Sequence, residues 1–205
     1  MKYIECCNIR KSFGQNLVLD NFNYCFNNQN INFITGSNGI GKSTLISCIL
    51  EFLKCDGNIS SNVEKMAYQP EKIVLPDYIK LKDYLKLISE IHKQDCKVSI
   101  ERLLRLFTLE KETDKDLIKL SKGMRQKVVL IQTLMIEADA YFFDEPLSGL
   151  DPISQNIFID ELMNIYNKGK IIIIVTHFIE QYNVEPKKVV NLNNKEYYQH
   201  VTITS

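Results

Sequence analysis

INFITGSNGIGKSTLISCILEFL, residues 31–53, is the stretch that decides the fold. It opens on a short apolar run (INFIT, 31–35), passes through a glycine-rich segment that fits G-x-x-x-x-G-K-[ST] from Gly36 to Ser43, and continues in helical spacing from Lys42 to Leu53. A glycine loop between a strand and a helix is the setting in which this pattern binds phosphate. Gly36, Gly39 and Gly41 let the backbone curl, so that successive N–H groups of Gly36, Ser37, Asn38, Gly39, Ile40 and Gly41 point inward at phosphate oxygens, at the positive end of the following helix. Lys42 adds a mobile positive charge, Ser43 offers a hydroxyl to Mg²⁺, and Thr44 reaches the α-phosphate side. The helix is expected to end near Gly57.

Working outward, two further runs read as strands buried on both faces: AYFFD at 140–144 and IIIIVT at 171–176. Neither alternates apolar with polar residues, which argues for a parallel sheet covered by helices. The first ends in two adjacent carboxylates whose side chains leave in different directions and can hold different roles. Asp144 is suited to hold Mg²⁺ through water, and Glu145, just beyond the strand, to polarise an attacking water. Residues 1–35 alternate short apolar runs with Asn-rich turns, which predicts antiparallel or mixed β-structure. Helical spacing over 80–107, with no strand between, predicts a helical lobe, and further helices are expected from about Lys122 to Glu137 and from Pro152 to Asn167, with Pro in the first turn. Strands alternating with helices give an α/β core with an inserted helical lobe.

Composition narrows the function. The chain has 205 residues, 45% hydrophobic and 24% charged, with 25 Lys plus Arg against 25 Asp plus Glu. It is long enough for a sizeable core, and it has none of the net positive charge that non-specific nucleic-acid binding favours. The longest stretch without a charged residue, Asn21 to Gly41, holds seven Asn and cannot sit in a bilayer core. The N-terminus has no apolar segment of the secretory kind. Six cysteines (Cys6, Cys7, Cys25, Cys48, Cys55 and Cys96) include no C-x-x-C pair, and His92, His177 and His200 lie at no zinc-finger spacing from them. They read as reduced, mostly buried thiols in a cytosolic chain.

Six motifs in order, GSNGIGKS (36–43), AYQPE (67–71), LSKGMRQKV (120–128), YFFDEP (141–146), LSGLD (147–151) and IVTHF (174–178), resemble the ATP-binding subunit of bacterial ABC transporters over nearly the whole chain. The resemblance implies an α/β P-loop NTPase fold: a RecA-like core with a mainly parallel sheet, an N-terminal antiparallel β-subdomain and an inserted helical lobe. Residues 1–205 then form one ABC ATPase domain, with 1–70 and 138–205 in the β-subdomain and core and about 71–137 in the lobe. It implies ATP and Mg²⁺ as cofactors, with Gln69 touching Mg²⁺ and the attacking water and reporting nucleotide state to a membrane partner. Ser121 and Gly123, at a helix N-terminus, would bind the γ-phosphate of ATP held by a second subunit, and Asp151 would couple the two sites. His177 would contact the γ-phosphate and steady Glu145, the catalytic base beside Lys42. Phe13, within Lys11-Ser-Phe13-Gly14, would stack on adenine where the family more often has Tyr.

The same resemblance implies head-to-tail dimerisation, as a homodimer or a heterodimer, an integral membrane permease as partner, and a place on the cytoplasmic face of the cell membrane. Nucleic acid is not an expected partner. Ile73, Leu75, Tyr78 and Tyr84 would line the docking groove for the permease. Where the family commonly has LSGGQ this chain has LSKGM, a variant common in bacterial exporters, and with only 28 residues after His177 the chain leans towards export, of a peptide or bacteriocin, a drug or an ion. The alternative is a non-transport ATPase of the same superfamily acting on ribosomes or DNA, although residues 45–119 leave no room for the long coiled coil of its DNA-repair members.

Overall fold

Strands that are apolar on both sides need cover on both sides, and the computed structural model, which describes residues 1–193, supplies it. Strands β1 (Tyr3–Phe13) and β2 (Asn16–Asn27) pair antiparallel, and β4 (Asp56–Ser61) joins the other edge of β1. The second sheet is wholly parallel, in the order β5 (Met66–Gln69), β6 (Ala140–Asp144), β7 (Ile171–Val175), β3 (Ile31–Thr35), β8 (Lys187–Asn191). Helix α1 (Lys42–Ile49) follows β3, and α2 (Leu81–Ile91), α3 (Lys97–Leu106) and α4 (Lys122–Leu134) stand between β5 and β6. Helix α5 (Pro152–Asn167) joins β6 to β7.

Every residue of β6 and β7 is buried, and side-chain alternation divides them between two cores. Tyr141, Phe143, Ile172 and Ile174 meet the apolar faces of α4 and α5. Ala140, Phe142, Ile171, Ile173 and Val175 meet Leu45, Ile46 and Ile49 of α1 together with β1 and β2. The antiparallel sheet is therefore the lid of one core, and the helices α2 to α5 cover the other.

Several expectations are refined. Helix α1 stops at Ile49, short of Leu53, because Glu51 turns to a φ of 60° and leaves Phe52 exposed. Helix α4 stops at Leu134, and Met135, Ile136 and Ala138 bury themselves in the approach to β6. The bounds of α5 agree with the prediction: Asp151 caps it and Pro152 fills its first turn. Strands β4, β5 and β8 carry no pattern from which a strand was predicted. The six cysteines are all free thiols. Among the described residues no helix is long and apolar enough to cross a membrane. His200 and the last part of the 138–205 segment lie outside the described residues.

Candidate nucleotide-binding site

In a parallel sheet, ligands gather at the carboxyl ends of the strands. Here the loop after β3, Asp144 at the end of β6, and Thr176 and His177 after β7 all emerge at that edge. The loop closes onto α1 through Gly41, whose φ of 115° suits glycine alone and where a Cβ would stand 2.7 Å from Val18. A pocket of about 170 Å³ is walled by Asn38, Gly39 and the start of α1 on one side and by Glu71, Asp144, Glu145 and His177 on the other. Lys42 is largely buried, and its ammonium donates to Gly36 O (2.9 Å), Ser37 O (3.1 Å) and His177 Nε2 (3.1 Å). Two loop carbonyls and the His177 ring thus satisfy its three donors.

Ser43 Oγ donates to Asp144 Oδ2 at 2.8 Å, so the hydroxyl and the carboxylate expected to share a cation are in contact. Asp144 is 2% exposed, and burial pushes its carboxyl up to about 6, partly offset by the Ser43 bond. A buried carboxylate held above its ordinary range gains from a nearby cation. Among the described residues no three His, Cys, Asp or Glu side chains converge as a metal cage. The donor chemistry of Ser43 and Asp144 suits Mg²⁺, which commonly takes one or two protein oxygens and completes its shell with water and phosphate. Glu145 adopts a φ of 49°, unusual for a residue with a side chain, and its carboxylate is gripped from two sides. His177 N donates to Oε1 (3.0 Å) and Thr176 Oγ1 to Oε2 (3.3 Å). Burial raises the Glu145 carboxyl, and His177 opposes that shift.

The remaining motif residues lie elsewhere. Ser121 caps α4, accepting from Met124 N (3.2 Å), and a Cβ on Gly123 would come within 3.3 Å of Gly149 O. The start of α4, with Lys122 and Arg125, opens on a separate groove of about 550 Å³ that also includes Ser148 and Gly149. Asp151 accepts from Ser154 N (2.9 Å) and from Lys127 Nζ (2.8 Å), and the Lys127 ammonium holds its carboxyl well below the usual range. Ser121, Gly123 and Asp151 are all absent from the wall of the phosphate pocket.

The family model described as ABC transporter matches residues 19–148, more than half of the chain. The chain belongs to the ABC transporter family. It is 36% identical over 151 residues to the uncharacterized ABC transporter ATP-binding protein YthP of Bacillus subtilis, covering 72% of this chain and 64% of that one. It is 34% identical over 169 residues to the zinc import ATP-binding protein ZnuC of Rickettsia conorii, covering 80% of this chain and 71% of that one. A solved ATP-binding subunit of an ABC transporter superposes with a TM-score of 0.82 at 27% identity, over 92% of this chain and 86% of its own. The chain thus spans just under two thirds of YthP.

Within this ABC ATP-binding domain, the pocket gathers Asn38, Gly39, Gly41, Lys42, Ser43, Thr44, Asp144, Glu145 and His177 from the residues singled out in the sequence. Gly36 and Ser37 sit behind the loop: Gly36 lends its carbonyl to Lys42, while Ser37 N and Oγ donate to Asn193 Oδ1 (3.2 and 2.9 Å). Ile40 is half-buried beside Gly36. Phe13 is half exposed at the end of β1, with Lys11 Nζ 5.2 Å from its ring centre, and is not part of the pocket wall. Gln69 is not there either. It is completely buried, with Nε2 donating to Pro70 O (2.6 Å) and Asp144 O (3.3 Å).

Three residues given no role by the sequence bear on the site: Glu71 lines the pocket, Thr176 holds Glu145, and Asn193 holds Ser37 behind the loop. Thr176 has a visible signal in its position directly before His177. It is 2% exposed, and its hydroxyl both donates to Glu145 and accepts from Phe178 N (3.1 Å). Thr176→Val keeps the shape and removes a hydrogen bond worth about 1 kcal/mol, so ATP turnover is expected to fall about five- to tenfold with nucleotide affinity unchanged. Thr176→Ser should restore most of it. Steady-state ATPase assays on the three proteins check this, and an unaltered Thr176→Val rate removes the hydroxyl from the positioning of Glu145.

Proposed function

We propose that the chain hydrolyses ATP to ADP and phosphate as one of two ATP-binding subunits that drive a separately encoded membrane permease. The observation that carries this reading is the separation of two half-sites. Lys42, Ser43, Asp144, Glu145 and His177 wall one pocket, while the start of α4 that Ser121 caps, with Lys122 and Arg125, lines another groove, which supports one copy's α4 capping the pocket of a second.

The loop N–H groups and Lys42 bind the phosphates, and Ser43 with Asp144 would hold Mg²⁺, which neutralises phosphate charge when bound. Glu145, oriented by His177 N and Thr176, accepts the proton of the attacking water. His177 Nε2, bonded to Lys42, faces the same phosphate. Phe13, exposed beside Lys11, offers its ring to adenine in the closed arrangement. Loss of the γ-phosphate removes the charge between the two copies, and they part. In this reading the protein works on the cytoplasmic face of the membrane, held there by its partner.

For the permease, Ile73, Leu75 and Tyr78, between β5 and α2, and Tyr84, in α2, were expected to line the groove. Leu75 and Tyr84 are 7% exposed and belong to the core, whereas Tyr78 is 86% and Val74 76% exposed. Tyr78 and Val74 are therefore the side chains proposed to meet the partner. Export is the finer proposal and rests on LSKGM, while the 34% identical relative named for zinc import shows that importers share this domain's sequence. Direction belongs to the permease, since closure and release of the ATPase pair are the same in either case.

The test is co-expression of the chain with its chromosomal neighbours, detergent solubilisation and affinity purification. The expected result is a stoichiometric integral membrane protein and Mg²⁺-dependent ATPase activity that it modulates, with Tyr78→Asp releasing that protein while basal ATPase persists. Recovery of ribosomes or DNA in its place would keep the ATPase and overturn the transport reading.

A further inference from the structure

The loop that holds Lys42 is itself held from outside. Gly36 C=O and Ser37 N–H belong to one planar peptide and point to opposite sides of it. On one side the carbonyl accepts from Lys42 Nζ at 2.9 Å, and on the other the N–H donates to Asn193 Oδ1 at 3.2 Å. Asn193 Oδ1 also accepts from Ser37 Oγ at 2.9 Å. The Ser37 N–H, expected from the sequence to turn inward to phosphate, is thus committed to Asn193, and neither Gly36 nor Ser37 lines the pocket. Ser37 O is the second carbonyl on Lys42 Nζ, at 3.1 Å, and it accepts from Ile40 N as well, at 3.3 Å.

Gly36 is the reason that such a hold matters. Its φ of 145° lies in the region open to glycine, where the following peptide can rotate with little steric resistance. Rotation would turn the Gly36 carbonyl away from Lys42 and leave the ammonium short of an acceptor. Asn193 is fixed by elements outside the loop. Strand β8 pairs parallel with β3, Thr35 opposite Asn191, and Leu192 N donates to Thr35 O at 2.8 Å. Asn193 N donates to Asn191 Oδ1 at 3.0 Å, which closes the turn after β8. That turn rests directly on the loop, since a Cβ on Gly36 would stand 3.4 Å from Leu192 Cβ. The register of the sheet therefore sets one oxygen that orients the peptide aiming Lys42.

We propose that Asn193 is a positioning residue for Lys42: by gripping Ser37 it keeps the Gly36-Ser37 peptide, and with it the ammonium, in binding geometry before nucleotide arrives. The effect on nucleotide rests on the ATP-binding reading above, whereas the hold on Lys42 can be read without nucleotide. Bound phosphates give Lys42 partners of their own, so the loss of Asn193 falls on affinity, through lost preorganisation, and not on turnover of ATP already bound.

The experiment has two arms on the full-length chain. In the first, without nucleotide, lysines are acylated with an N-hydroxysuccinimide ester and scored by peptide mass spectrometry. Asn193→Ala should speed modification of Lys42 by about three- to tenfold, while Lys97, exposed on α3, reacts at its starting rate. Asn193→Asp keeps the acceptor and should leave Lys42 as slow as in the unaltered chain. In the second arm, with Mg²⁺, Asn193→Ala should raise the dissociation constants of ATP and ADP together by about three- to tenfold, with turnover at saturating ATP within about twofold of the start. An unchanged Lys42 rate in Asn193→Ala, or an Asn193→Asp rate equal to it, overturns the proposal. So does faster labelling with both affinities unchanged. Absence of saturable ATP binding by the unaltered chain overturns the ATP-binding reading itself, and the labelling arm still decides the hold on Lys42, which tells the two failures apart.

Discussion

Glu145→Gln is expected to bind ATP and Mg²⁺ as tightly as the unaltered chain while its turnover drops by about a hundredfold or more, the range in which removal of a positioned general base falls. The substitution is nearly isosteric, and its geometry survives. His177 N can still donate to the amide oxygen at the place of Oε1, and the new amide nitrogen can donate to Thr176 Oγ1 at the place of Oε2. What disappears is the basic oxygen that takes a proton from water. ATP that is bound and not cleaved keeps its γ-phosphate in place, so the variant should accumulate as a dimer in the presence of Mg²⁺ and ATP. Single-turnover quench measurements read the chemistry, and size-exclusion chromatography with and without ATP reads the dimer. Turnover equal to the unaltered chain would remove Glu145 from its role as base.

The largest effect on stability is expected at Phe142. This side chain is 0% exposed in the middle of β6, with Tyr68 of β5 and Ile173 of β7 as its strand neighbours, and it fills the core beneath the antiparallel sheet. Because β5 and β7 flank it and both faces are covered, the surroundings have little freedom to collapse into the space that Phe142→Ala would leave. Such truncations cost about 3–5 kcal/mol, against a total stability of about 5–15 kcal/mol. At about 2–4 °C per kcal/mol for a chain of this size, the midpoint of thermal unfolding should fall by about 10 °C. Val189→Ala on β8, where the side chain is 46% exposed, should change stability by no more than about 0.5 kcal/mol. Scanning calorimetry of the two variants makes the comparison, and a Phe142→Ala midpoint within 2–3 °C of the starting value would contradict this account of the core.

Much of the architecture was legible because its signals are local. The loop from Gly36 to Ser43 carries its glycines, its lysine and its flanking strand and helix within a few residues, and α5 begins where an Asp cap and a Pro follow one another. The unbroken apolar runs of β6 and β7 announced a sheet covered on both faces, which the two cores bear out. Edge elements were harder. β4 is DGNISS and β8 is KKVVN, each mostly polar, and both are strands only because β1 and β3 offer them backbone partners.

By itself, then, the sequence determined the phosphate loop, the order of the motifs, the α/β class and the family, since each depends on chemistry written over a few adjacent residues. Only the tertiary structure decided that Gln69 is buried while Glu71 lines the pocket, that Thr176 grips Glu145, that Asn193 reaches back to Ser37, and that Leu75 and Tyr84 are core while Tyr78 stands free. A side chain's direction alternates along a strand and is reset by the turn that follows it, so residues two apart in one motif can part company between core and cavity. Contacts such as Ser37 with Asn193 join residues 156 positions apart, a pairing set by strand order in the sheet.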